Sequence, residues 1–275
     1  VIALGSVSFP EPRRVEVPVA PAFGPYRRFF PREAVGHPAK ANLHLVERLV
    51  ELVSSPGDVV LDPFAGTFST CVVSVLAGRG AVGVEIDREY LGWGLEASRR
   101  VWAESGRCFH ALWADASMIG QLLRPSSVDA VVTSPPYVLS SLHGGDAVRR
   151  LERVLRAGRD PRDFFGGLAR NAVRGRSRRH DYYPLSRWIA LMREVLSGLR
   201  EVLRSGSLAA FIVRNRIRRG SLLELDSLLA SLAIGAGFAV EALYSAPAPR
   251  SLWANLLARR GLELPREDRV VVLRS

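Results

Sequence analysis

Between Val128 and Val132 the chain carries a short, nearly continuous β-branched apolar run that stops abruptly at Ser134-Pro135-Pro136. A run of this kind predicts a strand buried on both faces, as in a parallel sheet covered by helices. The two prolines fix φ and remove two backbone donors, so strand pairing ends there and the chain leaves through a stiff loop. In an open α/β sheet, loops at the carboxyl ends of strands are where ligands bind.

The flanking sequence repeats strand and helix signals in alternation. Leu43, Val46, Leu49, Val50 and Val53 form a helical stripe with Asn42 as its cap, broken by Pro56-Gly57. Asp58 to Leu61 is a strand entering Asp62-Pro63-Phe64-Ala65-Gly66, where small residues let the backbone approach a ligand and the next helix points its amino terminus at the same place. Ala81 to Ile86 reads as a second strand, Tyr90 to Val101 as a helix, and Cys108 to Trp113 as a third strand ending at Ala114-Asp115-Ala116. Further on, Trp188, Leu191, Val195, Leu199 and Val202 mark a helix closing near Gly206, followed by a strand at Leu208 to Val213 and a helix at Leu222 to Ile234. Phe238 to Tyr244 and Arg269 to Leu273 close the chain as a strand pair. The pattern predicts an α/β fold: a doubly wound, mostly parallel sheet with a terminal antiparallel hairpin, one domain over 1–275 with a helical, arginine-rich insertion at 138–183.

Of the residues, 48% are hydrophobic, enough for one substantial core. No stretch approaches 18 apolar residues and no signal-peptide pattern opens the chain, so a cytoplasmic protein with no membrane partner is expected. Cys71 and Cys108 lie in apolar segments without paired spacing, which predicts reduced core residues and no metal site. The formal charge is +11 and Lys40 is the only lysine, so arginine carries the excess. Residues 138–183 hold eleven arginines against five acids, +6 of that total. Arg149, Arg150, Arg153 and Arg156 fall near helical spacing, Arg174-Gly-Arg176-Ser-Arg178-Arg179 reads as a phosphate-binding loop, and Arg214 to Gly220 as a second basic loop. A charge run is often only a solvated face. Its place directly after the proline loop favours nucleic-acid contacts for Arg149, Arg153, Arg174, Arg176, Arg178, Arg179 and Arg216.

The proline loop offers narrow chemistry. The Ser134 hydroxyl and the Pro135 carbonyl can both accept a hydrogen bond from an exocyclic amine, and Tyr137 offers a ring on which a base stacks. An ordinary turn after a strand would explain Ser-Pro-Pro equally well if it stood alone.

It does not stand alone. His37-Pro38-Ala39-Lys40, Asp62-Pro63-Phe64-Ala65-Gly66-Thr67, Gly83-Val84-Glu85-Ile86-Asp87 and Ser134-Pro135-Pro136-Tyr137 follow one another in a spacing that resembles the S-adenosylmethionine-dependent amino-methyltransferases acting on N4 of cytosine or N6 of adenine. The resemblance covers roughly residues 30–140 and implies a class I methyltransferase-like Rossmann fold. It implies Ser134, Pro135, Pro136 and Tyr137 as the catalytic loop. His37, Lys40, Asp62, Pro63, Phe64, Ala65, Gly66, Thr67, Ser69, Thr70, Glu85, Ile86 and Asp115 are implied as cofactor-binding. Glu85 would take the ribose hydroxyls, with Asp87 as its competitor, and Asp115 the adenine amino group unless it only caps a helix. Phe68 stands where the family commonly has a second glycine, and is expected to narrow the pocket floor. A serine-led loop points to N4 of cytosine in DNA, of the kind found in restriction-modification. An RNA base methyltransferase, an N6-adenine DNA enzyme, or an inactive nucleic-acid-binding protein are the alternatives.

Overall fold

The structure is a computed structural model describing residues 9, 11–18, 24–36, 41–138, 182–218, 221–248 and 267–275. It opens with strand β1 (Arg13–Arg14), a 3-10 turn (Gly24–Phe29) and helix α1 (Arg32–Gly36). Helix α2 (Leu43–Val53) starts where the Asn42 side chain accepts a 3.0 Å hydrogen bond from the His44 amide, and it buries Leu43, Val46, Leu49, Val50 and Val53. Then come β2 (Val59–Asp62), α3 (Ser69–Leu76), β3 (Gly80–Glu85), α4 (Arg88–Ser105), β4 (His110–Trp113), the short α5 (Ile119–Leu122) and β5 (Val128–Thr133). Two two-residue strands, β6 (Tyr137–Val138) and β7 (Tyr182–Tyr183), pair in parallel across the ends of the insertion. Helix α6 (Leu185–Val202), β8 (Leu203–Val213), the hairpin β9 (Arg216–Arg218) and β10 (Ser221–Leu223), α7 (Leu225–Gly235), β11 (Ala239–Pro247) and β12 (Glu267–Arg274) complete the described chain.

Eight strands form one sheet in the order β1-β11-β12-β8-β5-β2-β3-β4. Among the described residues, only β12 runs antiparallel to its neighbours in this sheet, inserted between β11 and β8. The β-branched run of β5 is the middle of this sheet. Ala130 and Val132 pack into the core beneath α2, α3 and α4, while Val128 and Val131 pack into the opposite core beneath α6 and α7. Burial on both faces is why the run is apolar at successive positions. Among the described residues no helix is long and apolar enough to cross a membrane.

The structure moves three expected elements. The α6 helix ends at Val202, not near Gly206, and β8 begins at once because Leu203 pairs with Val128. The next paired position is Ala130 with Leu208, so the chain bulges over the residues between, with Gly206 at φ +79. The basic stretch after Arg214 is a hairpin, not a loop, and its second strand takes Ser221–Leu223, residues whose apolar pattern continues the helix. Helix α7 therefore starts only at Leu225, where the Asn215 side chain accepts from the Leu225 and Asp226 amides. Cys71 is buried, but Cys108, at the foot of β4, is exposed.

Candidate active site

The loops following β2, β3, β4 and β5 open into one cleft at the carboxyl edge of the sheet. Of the residues picked out by sequence, Asp62 to Thr67, Ser69, Thr70, Glu85, Ile86, Asp115 and Ser134 to Tyr137 all line it. His37 and Lys40 lie outside the described residues; Ala41, immediately after, lines the cleft. Arg149, Arg153, Arg174, Arg176, Arg178 and Arg179 also lie outside them.

The first loop is shaped by two carboxylates. Asp62 is buried, and its Oδ1 accepts 2.6 Å from the Thr133 hydroxyl and 3.1 Å from the Phe64 amide. Burial pushes its carboxyl up to about 6, partly offset by these bonds and one from Thr70. Gly66, at φ +50, turns the chain so that its amide donates 2.8 Å to Glu85 Oε2, while the Asp87 amide donates 2.8 Å to Glu85 Oε1. Burial likewise raises Glu85, to about 7. Asp87 does not line the cleft. Its Oδ1 accepts from the Glu89 and Tyr90 amides and caps α4.

Asp115 is a cap that also borders the cleft. Its Oδ1 accepts from the Ser117 amide and hydroxyl, each at 2.9 Å, capping the 3-10 turn Ala116–Met118, and the residue still lines the cleft.

Phe68 corrects an expectation. It is fully buried, absent from the cleft wall, and held at φ +61 as the residue before α3. Its ring turns into the gap between β3 and α4, 5.8 Å from the Phe109 ring. The gap exists because Gly83 and Gly94 have no Cβ; one built there would lie 2.7 Å and 2.4 Å from the Phe68 ring.

In the loop after β5, the Ser134 hydroxyl lies 3.2 Å from the Ile212 carbonyl of β8. A carbonyl only accepts, so the serine proton is committed to Ile212, and its lone pairs are what Ser134 offers the cleft. Trp188, 1% exposed on α6, donates from Nε1 to the Pro136 carbonyl at 2.9 Å and anchors the loop from beneath. Tyr137 is half-buried, with the Arg216 guanidinium carbon 4.8 Å from its ring centroid. Sequence reasoning missed Thr133, Ile212, Tyr90 and Tyr183, which also line the cleft. Thr133 adjoins a motif and could have been included; Ile212 carries no local signal.

Comparison with known proteins agrees with this geometry. A family model described as DNA methylase matches residues 26–94. Over 71 residues the chain is 42% identical to the DNA adenine methyltransferase YhdJ of Escherichia coli (strain K12), covering 26% of this chain and 24% of that protein. Over 126 residues it is 29% identical to the tRNA (guanine(10)-N2)-dimethyltransferase of Methanocaldococcus jannaschii, covering 43% of this chain and 34% of that one. The match thus spans about a quarter to a third of these relatives' own lengths. The crystal structure of TrmN from Thermus thermophilus shares the fold, with a TM-score of 0.53 at 19% identity over 90% of this chain and 52% of that one. Residues 26–94 are therefore similar to DNA methylases, and they are set on a sheet of the class I methyltransferase fold.

Proposed function

We propose that this chain transfers a methyl group from S-adenosylmethionine to an exocyclic amine of a nucleobase, N4 of cytosine in DNA. The observation that carries this reading is the one-way polarity of Ser134. With its hydroxyl donating to the Ile212 carbonyl, it accepts from the cleft, which suits an amine and not a ring carbonyl. Bound S-adenosylmethionine would supply an electrophilic methyl group. The residues present fit it. Glu85 would take the ribose hydroxyls, Asp115 the adenine amine, and the amino terminus of α3 with Thr67, Ser69 and Thr70 the methionine carboxylate, all of them lining the cleft. An aromatic amine is a weak nucleophile because its lone pair is delocalised into the ring. Accepting a hydrogen bond from it at Ser134 favours the tetrahedral nitrogen, orientation beside the methyl group supplies much of the rest, and the proton that the methylated nitrogen sheds passes to solvent. Pro135 and Pro136 keep the loop stiff, and Tyr137 holds the base out of its stack.

The β6·β7 pairing supports the insertion as the nucleic-acid element. It sets Tyr137, which lines the cleft, beside Tyr182, and Val138 beside Tyr183, which lines it too. A second reading, an RNA base as substrate, is favoured by the 126-residue match to a tRNA methyltransferase. The test is to incubate the protein with labelled S-adenosylmethionine and separate DNA and RNA pools, then identify the product by mass spectrometry. N4-methylcytosine in DNA is expected. N6-methyladenine would overturn the base, methylated RNA the polymer, and a methylated ring carbon the mechanism. Ser134→Ala should lower turnover about tenfold to a thousandfold while cofactor affinity holds.

A further inference from the structure

We infer that Trp188 is a positioning residue for the methyl transfer: by holding the Pro136 carbonyl it locks the one peptide plane between Ser134 and Tyr137 that the prolines leave able to turn. The inference rests on the nucleobase reading above. The indole is 1% exposed, and its Nε1 donates to the Pro136 carbonyl at 2.9 Å. Its own backbone is fixed in the first turn of α6, where the Trp188 amide donates 2.9 Å to the Pro184 carbonyl. A buried indole N–H needs an acceptor, and any core carbonyl would satisfy it. This carbonyl belongs to a residue of the cleft wall, 52 positions earlier in the chain.

The loop has few torsions left to fix. Pro135 and Pro136 have φ set by their rings, and Ser134 and Pro135, each followed by a proline, are restricted in ψ. The upstream end is tied to the sheet, by the Thr133 hydroxyl on Asp62 Oδ1 at 2.6 Å and the Ser134 hydroxyl on the Ile212 carbonyl at 3.2 Å. The downstream end is held as well, since Tyr137 pairs with Tyr182 and has the Arg216 guanidinium beside its ring. Held ends do not fix the plane between Pro136 and Tyr137. A planar peptide can turn as a unit between two stationary Cα atoms, ψ of one residue changing against φ of the next. Turning moves the carbonyl carbon and the amide nitrogen, and the substituents on both Cα atoms tilt to follow. A donor on the Pro136 carbonyl stops that turn. Ser134 and Pro135 offer acceptors for the amine and Tyr137 the ring for its base, so the Trp188 bond keeps acceptors and ring in one relative setting. Loss of the bond should leave every binding group in the cleft but spread their alignment.

The test compares wild type with Trp188→Phe, which keeps an aromatic ring without the donor, and with Trp188→benzothienylalanine, in which sulfur replaces the indole N–H and the shape is kept. Each form of the whole chain is assayed for kcat and KM on an oligonucleotide the wild type methylates, and for S-adenosylmethionine affinity by calorimetry. Amide exchange at Tyr137 is followed by NMR, because that amide shares its peptide plane with the Pro136 carbonyl. The expected result in both variants is a kcat lower by about threefold to tenfold, with KM and cofactor affinity within about twofold of wild type. Exchange at Tyr137 should be faster by about threefold or more. Wild-type kcat in the benzothienylalanine protein would overturn the inference and leave Trp188 as packing. Cofactor affinity that falls as far as kcat would overturn it too, because Trp188 would then support the whole cleft. Unchanged exchange at Tyr137 would overturn it whatever the kcat. If the wild type methylates no nucleic acid, the parent reading falls, and exchange at Tyr137 still decides whether Trp188 holds the loop.

Discussion

Glu85 sits between two backbone amides, yet burial still holds its carboxyl at about 7, so near neutrality it carries a proton part of the time. Ribose hydroxyls donate to the charged form and favour it, so binding at this position must displace that proton. Affinity for S-adenosylmethionine is therefore expected to rise between pH 6 and 8, approaching tenfold per unit on the acid side of about 7 and flattening above it. Calorimetry in two buffers of different ionisation heat should register the proton released. Glu85→Ala should weaken binding by about 1.5–3 kcal/mol and remove the part of the pH dependence centred near 7. Asp87→Ala should leave affinity near wild type and cost only the α4 cap, about 1 kcal/mol of stability. A pH-independent wild type, or an Asp87 variant that loses binding as Glu85→Ala does, would move the ribose contact off Glu85.

At the scale of elements, the packing of α4 on β3 is decided by one residue that local sequence misrepresents. Phe68 adopts φ +61, a left-handed conformation that costs a non-glycine residue about 1–2 kcal/mol, and recovers it by filling the gap left by Gly83 and Gly94. Gly94→Ala should therefore destabilise the protein by about 1–3 kcal/mol in chemical denaturation, because its Cβ would meet the Phe68 ring rather than solvent. Combined with Phe68→Leu, the same change should cost less than the sum of the two alone; additive losses would show that ring and glycine do not share the space. Why sequence misread Phe68 follows from this. Position relative to the loop was legible, but side-chain direction depends on two glycines 15 and 26 residues further on. The cleft residues were legible because three of the four motifs each end a strand of the same sheet, and strand ends converge. Ile212 and Trp188 were not, since each reaches the loop through a long-range hydrogen bond from β8 or α6, and neither bears a motif. Apolar runs located the strands of the sheet, while the β9–β10 hairpin was hidden because Leu222 and Leu223 fit a helical stripe as well as a strand.

For the whole molecule, the cleft has a cost that depends on pH. Asp62 stands at about 6 and Glu85 at about 7 in the folded chain, against ordinary values of 3.8 and 4.5. Both are raised, so the folded state holds protons that the unfolded chain has released, and stability falls as pH rises through these values. The stability contributed by protonation is fully present below about 4 and lost by about 8. For Asp62, a shift of about two units corresponds to roughly 3 kcal/mol. Asp62→Asn isolates that part, because an amide keeps the oxygen that accepts from Thr133 and Phe64, and its NH2 group can donate to the Thr70 hydroxyl. The expected outcome is a variant close to wild type at pH 4 and more stable than wild type at pH 8, in urea titrations without cofactor. S-adenosylmethionine, a cation at its sulfonium centre, should offset the charge of both carboxylates and so stabilise the wild type more at pH 8 than at pH 5. If the two proteins keep the same difference in stability at both pH values, the buried carboxyl of Asp62 does not titrate in this range, and the cleft is not strained by charge.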